Sequence, residues 1–150
     1  MSWQARLARA RSEEGSAIVE FVFLGVLMLV PLVYLVMTLG RIQAGSYAVT
    51  TAAREAGRAF VTAQGDQDAG ARARAAAEVA FADQGFGGMG GLDIGCSTSP
   101  CLTPEARIET TTSVTVPLPL IPAFARDVVP LEIPLTASHL STVDRFRGGP

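Results

Sequence analysis

Two features among the 150 residues call for a chemical explanation: one acid and one pair of cysteines. Glu20 stands one residue before a run of 19 residues, 21–39, that carries no charge and whose most polar member is Thr38. A lone carboxylate in lipid costs about 3 kcal/mol, so such an acid has either a partner or a job. On position alone two readings stand: a wet acid at headgroup level, or a buried acid that needs a cation. Cys96 and Cys101 enclose Ser-Thr-Ser-Pro, which is not the C-x-x-C redox spacing. With His139 the only histidine, the chain is too poor in ligands for a Cys/His structural zinc site. A local disulfide between Cys96 and Cys101 fits an exported region, and closing so short a loop contributes about 2 kcal/mol. Asp66 and Asp68 resemble the start of a calcium loop, but no glutamate follows at the required spacing. Residues 85–95 hold six glycines without the Lys and Ser/Thr of a phosphate-binding loop, and they predict a loop. No nucleophile sits in a pattern with a base. The expectation is a protein without enzymatic activity, metal or cofactor.

The elements that must position these residues begin with the apolar run. Overall 49% of the chain is hydrophobic and 17% charged, but the apolar residues are concentrated in 21–39. At 1.5 Å per residue that run is roughly 28 Å long, close to the ~30 Å hydrocarbon core of a bilayer. A buried core helix of this length would show a polar face. Pro31 removes one backbone hydrogen bond and predicts a kink, which membrane helices tolerate. Arg6, Arg9 and Arg11 precede the span and only Arg41 follows it closely. The positive-inside rule then keeps residues 1–15 in the cytoplasm and exports the C-terminal part. A cleaved secretory signal would have a shorter apolar core and a better cleavage site than Thr38-Leu39-Gly40-Arg41. The expected location is the plasma membrane, crossed once. A net charge of −2 argues against nucleic acid as a partner.

Beyond the span, Ile42, Gly45, Val49, Ala52, Ala53, Ala56 and Phe60 recur mostly at steps of three and four. They predict a helix whose small-residue face packs either on another helix or on its own domain. Arg54, Glu55 and Arg58 form a solvated face with weak local pairs. Gly65-Asp66 breaks this helix, and Asp66 or Asp68 is expected to cap a second one running to about Gln84. Val79, Ala80 and Phe81 are expected on the apolar side of that helix. Residues 106–116 alternate Ile108, Thr110, Thr112, Val114 and Val116 against polar neighbours, which is a strand. Residues 131–143, with Leu131, Ile133, Leu135 and Ala137 in step, predict a second. Between them, residues 117–124 (Pro-Leu-Pro-Leu-Ile-Pro-Ala-Phe) are apolar but punctuated by proline. That segment is either a contact surface for membrane or partner, or it folds back onto the exported helices. The fold class read from this pattern is α+β. A long N-terminal transmembrane helix extends outside the membrane, followed by a second helix and a small antiparallel hairpin or sheet. In segments, 1–15 is a leader, 16–40 the span, 41–64 its extension, 65–95 the second helix and glycine loop, and 96–150 the disulfide loop and β-rich end.

The residues around Glu20 add a resemblance. Gly15-Ser-Ala-Ile-Val-Glu20-Phe21, set between an arginine-rich leader and an apolar span, resembles the type IV prepilin processing signal. In that signal a membrane aspartic peptidase cuts after the glycine, and a glutamate holds the fifth mature position. Carried over, Gly15 ends the leader, Ser16 becomes the N-terminus, and Glu20 and Phe21 are mature residues five and six. The resemblance implies that the ammonium freed at Ser16 pairs with Glu20 of a neighbouring subunit, which would set subunit register. Together with the Ala-Ala-Arg54-Glu55-Ala-Gly-Arg58-Ala helix, this N-terminus resembles the TadE family, small pilin-like proteins of the tight-adherence (Tad, or Flp) pilus. The resembling region covers roughly residues 13–60, and TadF and TadG relatives share similar N-termini. It implies a minor pilin or pilus-assembly subunit whose partners are other pilins, a prepilin peptidase and the bilayer. The alternative is a permanent single-pass anchor carrying an exported domain that binds a ligand or partner.

Overall fold

The computed structural model describes residues 3–119 and 132–146, with side chains from residue 17 onward. Five elements follow in order: α1 (Trp3–Val61), α2 (Asp66–Asp83), β1 (Gly90–Cys96), β2 (Arg107–Pro117) and β3 (Glu132–Thr142). The strands form one antiparallel sheet in the order β1-β2-β3. This is the α+β arrangement that the residue patterns predict. Residues 120–124 of the proline-punctuated segment, and Leu131 at the head of the second predicted strand, lie outside the described residues.

The chain divides into two compact units, Met1–Thr38 and Leu39–Pro150. The first consists of the N-terminal part of α1, with Pro31 inside the helix. Its most apolar window has a mean hydropathy of 2.6 and buries none of its surface, so α1 is long and apolar enough to cross a membrane.

The second unit is built around the remaining turns of α1. Its small-residue face is buried within its own unit, at Val49, Ala52, Ala53, Ala56 and Phe60, in one core with α2 and the sheet, which decides between the two partners left open by the sequence. Two glycines set the approach distance. A Cβ on Gly45 would stand 2.5 Å from Val116 Cγ2, and one on Gly57 would stand 2.5 Å from Ser141 Oγ. Two buried hydroxyls then fix the register: Thr110 donates to the Ala53 carbonyl at 2.8 Å, and Thr112 to the Val49 carbonyl at 2.7 Å. These contacts pair residues 45, 49 and 53 of α1 with residues 116, 112 and 110 of β2, so β2 descends as α1 ascends. The unit therefore has two ends. One, at the level of Arg41 and Gly45, collects the α2–β1 loop, the end of β2 and the start of β3. The other collects the α1–α2 turn, residues 97–106 and the end of β3.

Three local expectations are corrected. Neither Asp66 nor Asp68 caps α2: Gly65 holds that position in extended geometry, and no side chain caps the helix. The Asp66 carboxylate instead accepts the amides of Cys101 and Leu102, both at 3.0 Å. Val79 is exposed, because the buried stripe of α2 runs through Ala69, Ala73, Ala77, Ala80 and Phe81 and leaves residue 79 off the face. Most consequentially, residues 90–95 are not a loop but most of strand β1. The glycines there are steric: a Cβ on Gly90 would collide with the buried Phe81 ring, and one on Gly91 would stand 2.6 Å from Ser113 Oγ. Glycine weakens a strand in isolation, but here it lets a neighbouring group approach the backbone.

Candidate functional site

The sequence singles out Gly15, Ser16, Glu20 and Phe21, and α1 carries all four. The backbone is helical through residues 15 and 16, with no break at the expected cut, and the side chains of these two lie outside the described residues. Four residues make about one helical turn, so Ser16 and Glu20 share a face. Glu20 is exposed and has no ion-pair or hydrogen-bond partner among the described residues. Phe21, 78% exposed, opens a surface that continues through Phe23, Leu27, Leu32 and Val36, all more than half exposed. In water such a surface would be unstable, whereas lipid tails or neighbouring helices would cover it at no hydrophobic cost. The arrangement thus offers an unpaired carboxylate at the mouth of an apolar helix. An amine generated at residue 16 would be a cation within one turn of that acid, on the same chain or on a neighbour's.

Cys96 and Cys101 are joined in a disulfide with Cα atoms 5.4 Å apart. The loop they close is tied down from several sides. Asp66 holds two of its amides, the Arg107 amide donates to Ser97 Oγ at 2.9 Å, and the hydroxyls of Thr98 and Thr103 both donate to the Pro100 carbonyl. Sequence reasoning found the disulfide but missed Asp66, whose partners lie 35 and 36 residues away. No local spacing could announce such a pair. Beside the loop, Glu105 and Arg145 approach to 3.9 Å on the surface, a pair worth little in solvent.

His139 lies in β3 opposite Thr110, and its carbonyl accepts that residue's hydroxyl at 3.1 Å. Its ring neighbours the backbone of Gly57, which accounts for the residue as packing beside the helix. Among the described residues, no three His, Cys, Asp or Glu side chains converge as a metal ion would require.

Comparison with known proteins locates the similarity on this helix. Residues 15–58 match the family of TadE-like proteins. The TadE-like segment begins at Gly15, takes in Glu20, Phe21 and the whole apolar run, and ends within the small-residue face that packs on the sheet. It lies entirely within α1, and α2 and the three strands fall outside it. No curated protein and no solved structure matches the chain. The match covers 44 of the 150 residues and is a likeness of α1 alone.

Proposed function

We propose that this chain is a minor pilin or assembly subunit of a Tad-type pilus, inserted with its N-terminus in the cytoplasm and cut by a prepilin peptidase between Gly15 and Ser16. The observation that carries the reading is the TadE-like segment itself, which starts at Gly15 and holds Glu20 and Phe21 at the head of the apolar stretch of α1, whose most apolar window buries no surface. After the cut, the Ser16 ammonium becomes the nearest cation to Glu20. Burying both groups between packed helices would reward one register and penalise the others, because a carboxylate left unpaired in lipid is costly. The globular unit serves as a displayed head, and its role is structural, without catalysis. Glycine at residue 15 suits proteolysis on two counts: it removes the side chain at the scissile bond, and it weakens a helix that must open to enter a peptidase.

The reading is tested by two substitutions in the native host. Gly15→Leu should block the cut and leave a membrane protein larger by the 15-residue leader. Glu20→Gln should be inserted and processed normally, yet be depleted from the pilus or from its assembly complex. Full incorporation of Glu20→Gln would contradict the proposed pairing.

One observation favours a second reading, that of a permanent anchor. The helix of α1 is unbroken from Trp3 through residues 15 and 16, so the leader and the span form one element. In that reading the leader is kept, Glu20 stays at headgroup level, and the head recruits a ligand or partner.

A further inference from the structure

We infer that the free edge of β1 and the flank of α2 beside it form a binding site for an extended segment of another protein, which adds to the sheet as a fourth strand. The site lies wholly within the globular unit and depends on neither the cut nor the span. The sheet order leaves β1 and β3 as its two edges. The Ser97 amide donates to the carbonyl of Arg107, the residue opposite it, at 3.0 Å. Bonded and non-bonded pairs alternate along an antiparallel ladder, so Gly91, Asp93 and Gly95 bond to β2. Gly90, Leu92 and Ile94 then turn their N–H and C=O groups away from it, and no other backbone group among the described residues bonds to them. The β3 edge is different. The odd-numbered residues of β2 turn toward β1, so Pro134, opposite Thr115, faces outward and interrupts the row of donors. β1 has no proline, and its row is intact.

Helix α2 turns this edge into a groove. About 340 Å³ is enclosed by Arg74, Ala77, Glu78 and Phe81 of α2 and by Gly90 and Leu92 of β1. Ala77 and Phe81 are buried and Leu92 half-buried, so part of the lining is apolar, whereas Arg74 and Glu78 are exposed. Neither of these two forms an ion pair among the described residues. Glu78 accepts the Gly88 amide at 2.7 Å, and its charge meets no cation. The two stand one helical turn apart, about 6 Å along the axis, and two residues of an extended strand advance about 6.6 Å. Alternate side chains of an added strand therefore meet both charges, an acid at Arg74 and a base at Glu78. Because Phe81 meets Gly90, the groove runs with β1 from the Glu78 end toward Arg74 and Leu92. A segment antiparallel to β1 thus reads acid-x-base. Main-chain bonds supply the affinity, and the two charges select the sequence.

The test uses the full chain in detergent micelles and the peptide fluorescein-Val-Thr-Asp-Thr-Arg-Thr-Val-amide, followed by anisotropy. Saturable binding is expected, weakened about tenfold when Asp and Arg exchange places. The Asp and Arg nitrogens of the peptide face β1 in the added strand, and the Thr nitrogens face solvent. Methylating the first two should abolish binding, whereas methylating two Thr nitrogens should change it by less than about threefold. Arg74→Glu, on the surface of α2, should shift the preference to a peptide with Arg in place of Asp. In the peptide-free chain the Leu92 and Ile94 amides should exchange with solvent faster than the Asp93 amide, and the peptide should slow them. Absent saturable binding, or equal binding of the two methylated peptides, would overturn the inference. An unchanged preference in Arg74→Glu would overturn the placement beside α2. Amides 92 and 94 already as slow as 93 would also overturn it, because the edge would then be covered by the chain itself or by a second copy.

Discussion

The two parts of α1 are one continuous helix made by opposite rules. Between residues 21 and 39 the side chains are large and unpartnered, with Phe23 64% exposed and Leu35 61% exposed. Between residues 45 and 60 they are small and closely packed, with Ala48, Ala52 and Ala56 fully buried. Size therefore does not track burial within this chain. Large apolar side chains suit a segment whose surroundings are lipid or other helices, where bulk costs nothing and adds contact. Small ones suit a segment that lies flat on a sheet, where each added methylene would push the sheet away. The transition falls near Gly40-Arg41, just past the end of the charge-free run.

Matched substitutions in the two parts should show this. Phe60→Ala empties a buried position and should cost about 3–5 kcal/mol in unfolding of the globular unit, read by thermal denaturation of the full chain in vesicles. Phe23→Ala should leave that transition unmoved. If both changes lower it equally, the apolar run is folded against the unit and the contrast fails. A smaller effect is expected from overfilling: Gly57→Leu drives a side chain at Ser141 and Thr110 and should cost about 1–3 kcal/mol, whereas Gly25→Leu, which has nothing within 4 Å, should be silent. The smallest concerns register. Thr112→Val removes a hydroxyl whose acceptor, the Val49 carbonyl, already serves the helix, so a loss of only about 0.5–1 kcal/mol is expected. A loss well above that range would show that the helix–sheet hydrogen bonds dominate over the small-residue packing.

Much of this architecture was legible because it rests on local periodicity. The long apolar helix, the small-residue face from Ile42 to Phe60, the β2 alternation from Ile108 to Val116, and the Cys96–Cys101 pair all announce themselves within a few residues. What escaped depends on partners far along the chain. Gly90 and Gly91 read as a loop until the Phe81 ring and the Ser113 side chain are placed against them. Asp66 reads as a cap until the disulfide loop comes to it. Val79 reads as core in a helix whose stripe passes one position on. The candidate site is different in kind. Gly15, Ser16, Glu20 and Phe21 were chosen from spacing and resemblance, and the family match begins at the same glycine. Among the described residues Glu20 has no partner that could display the pairing; that partner is proposed to be made by proteolysis and supplied by a neighbouring subunit.

The central claim is therefore tested most directly at the N-terminus. The protein should be extracted from its native membrane and its first residues determined by sequencing or intact mass. The account predicts a chain that starts at Ser16, five residues from Phe21. A functional chain that still begins at Met1 or Ser2 would contradict it, and would leave α1 as a permanent anchor.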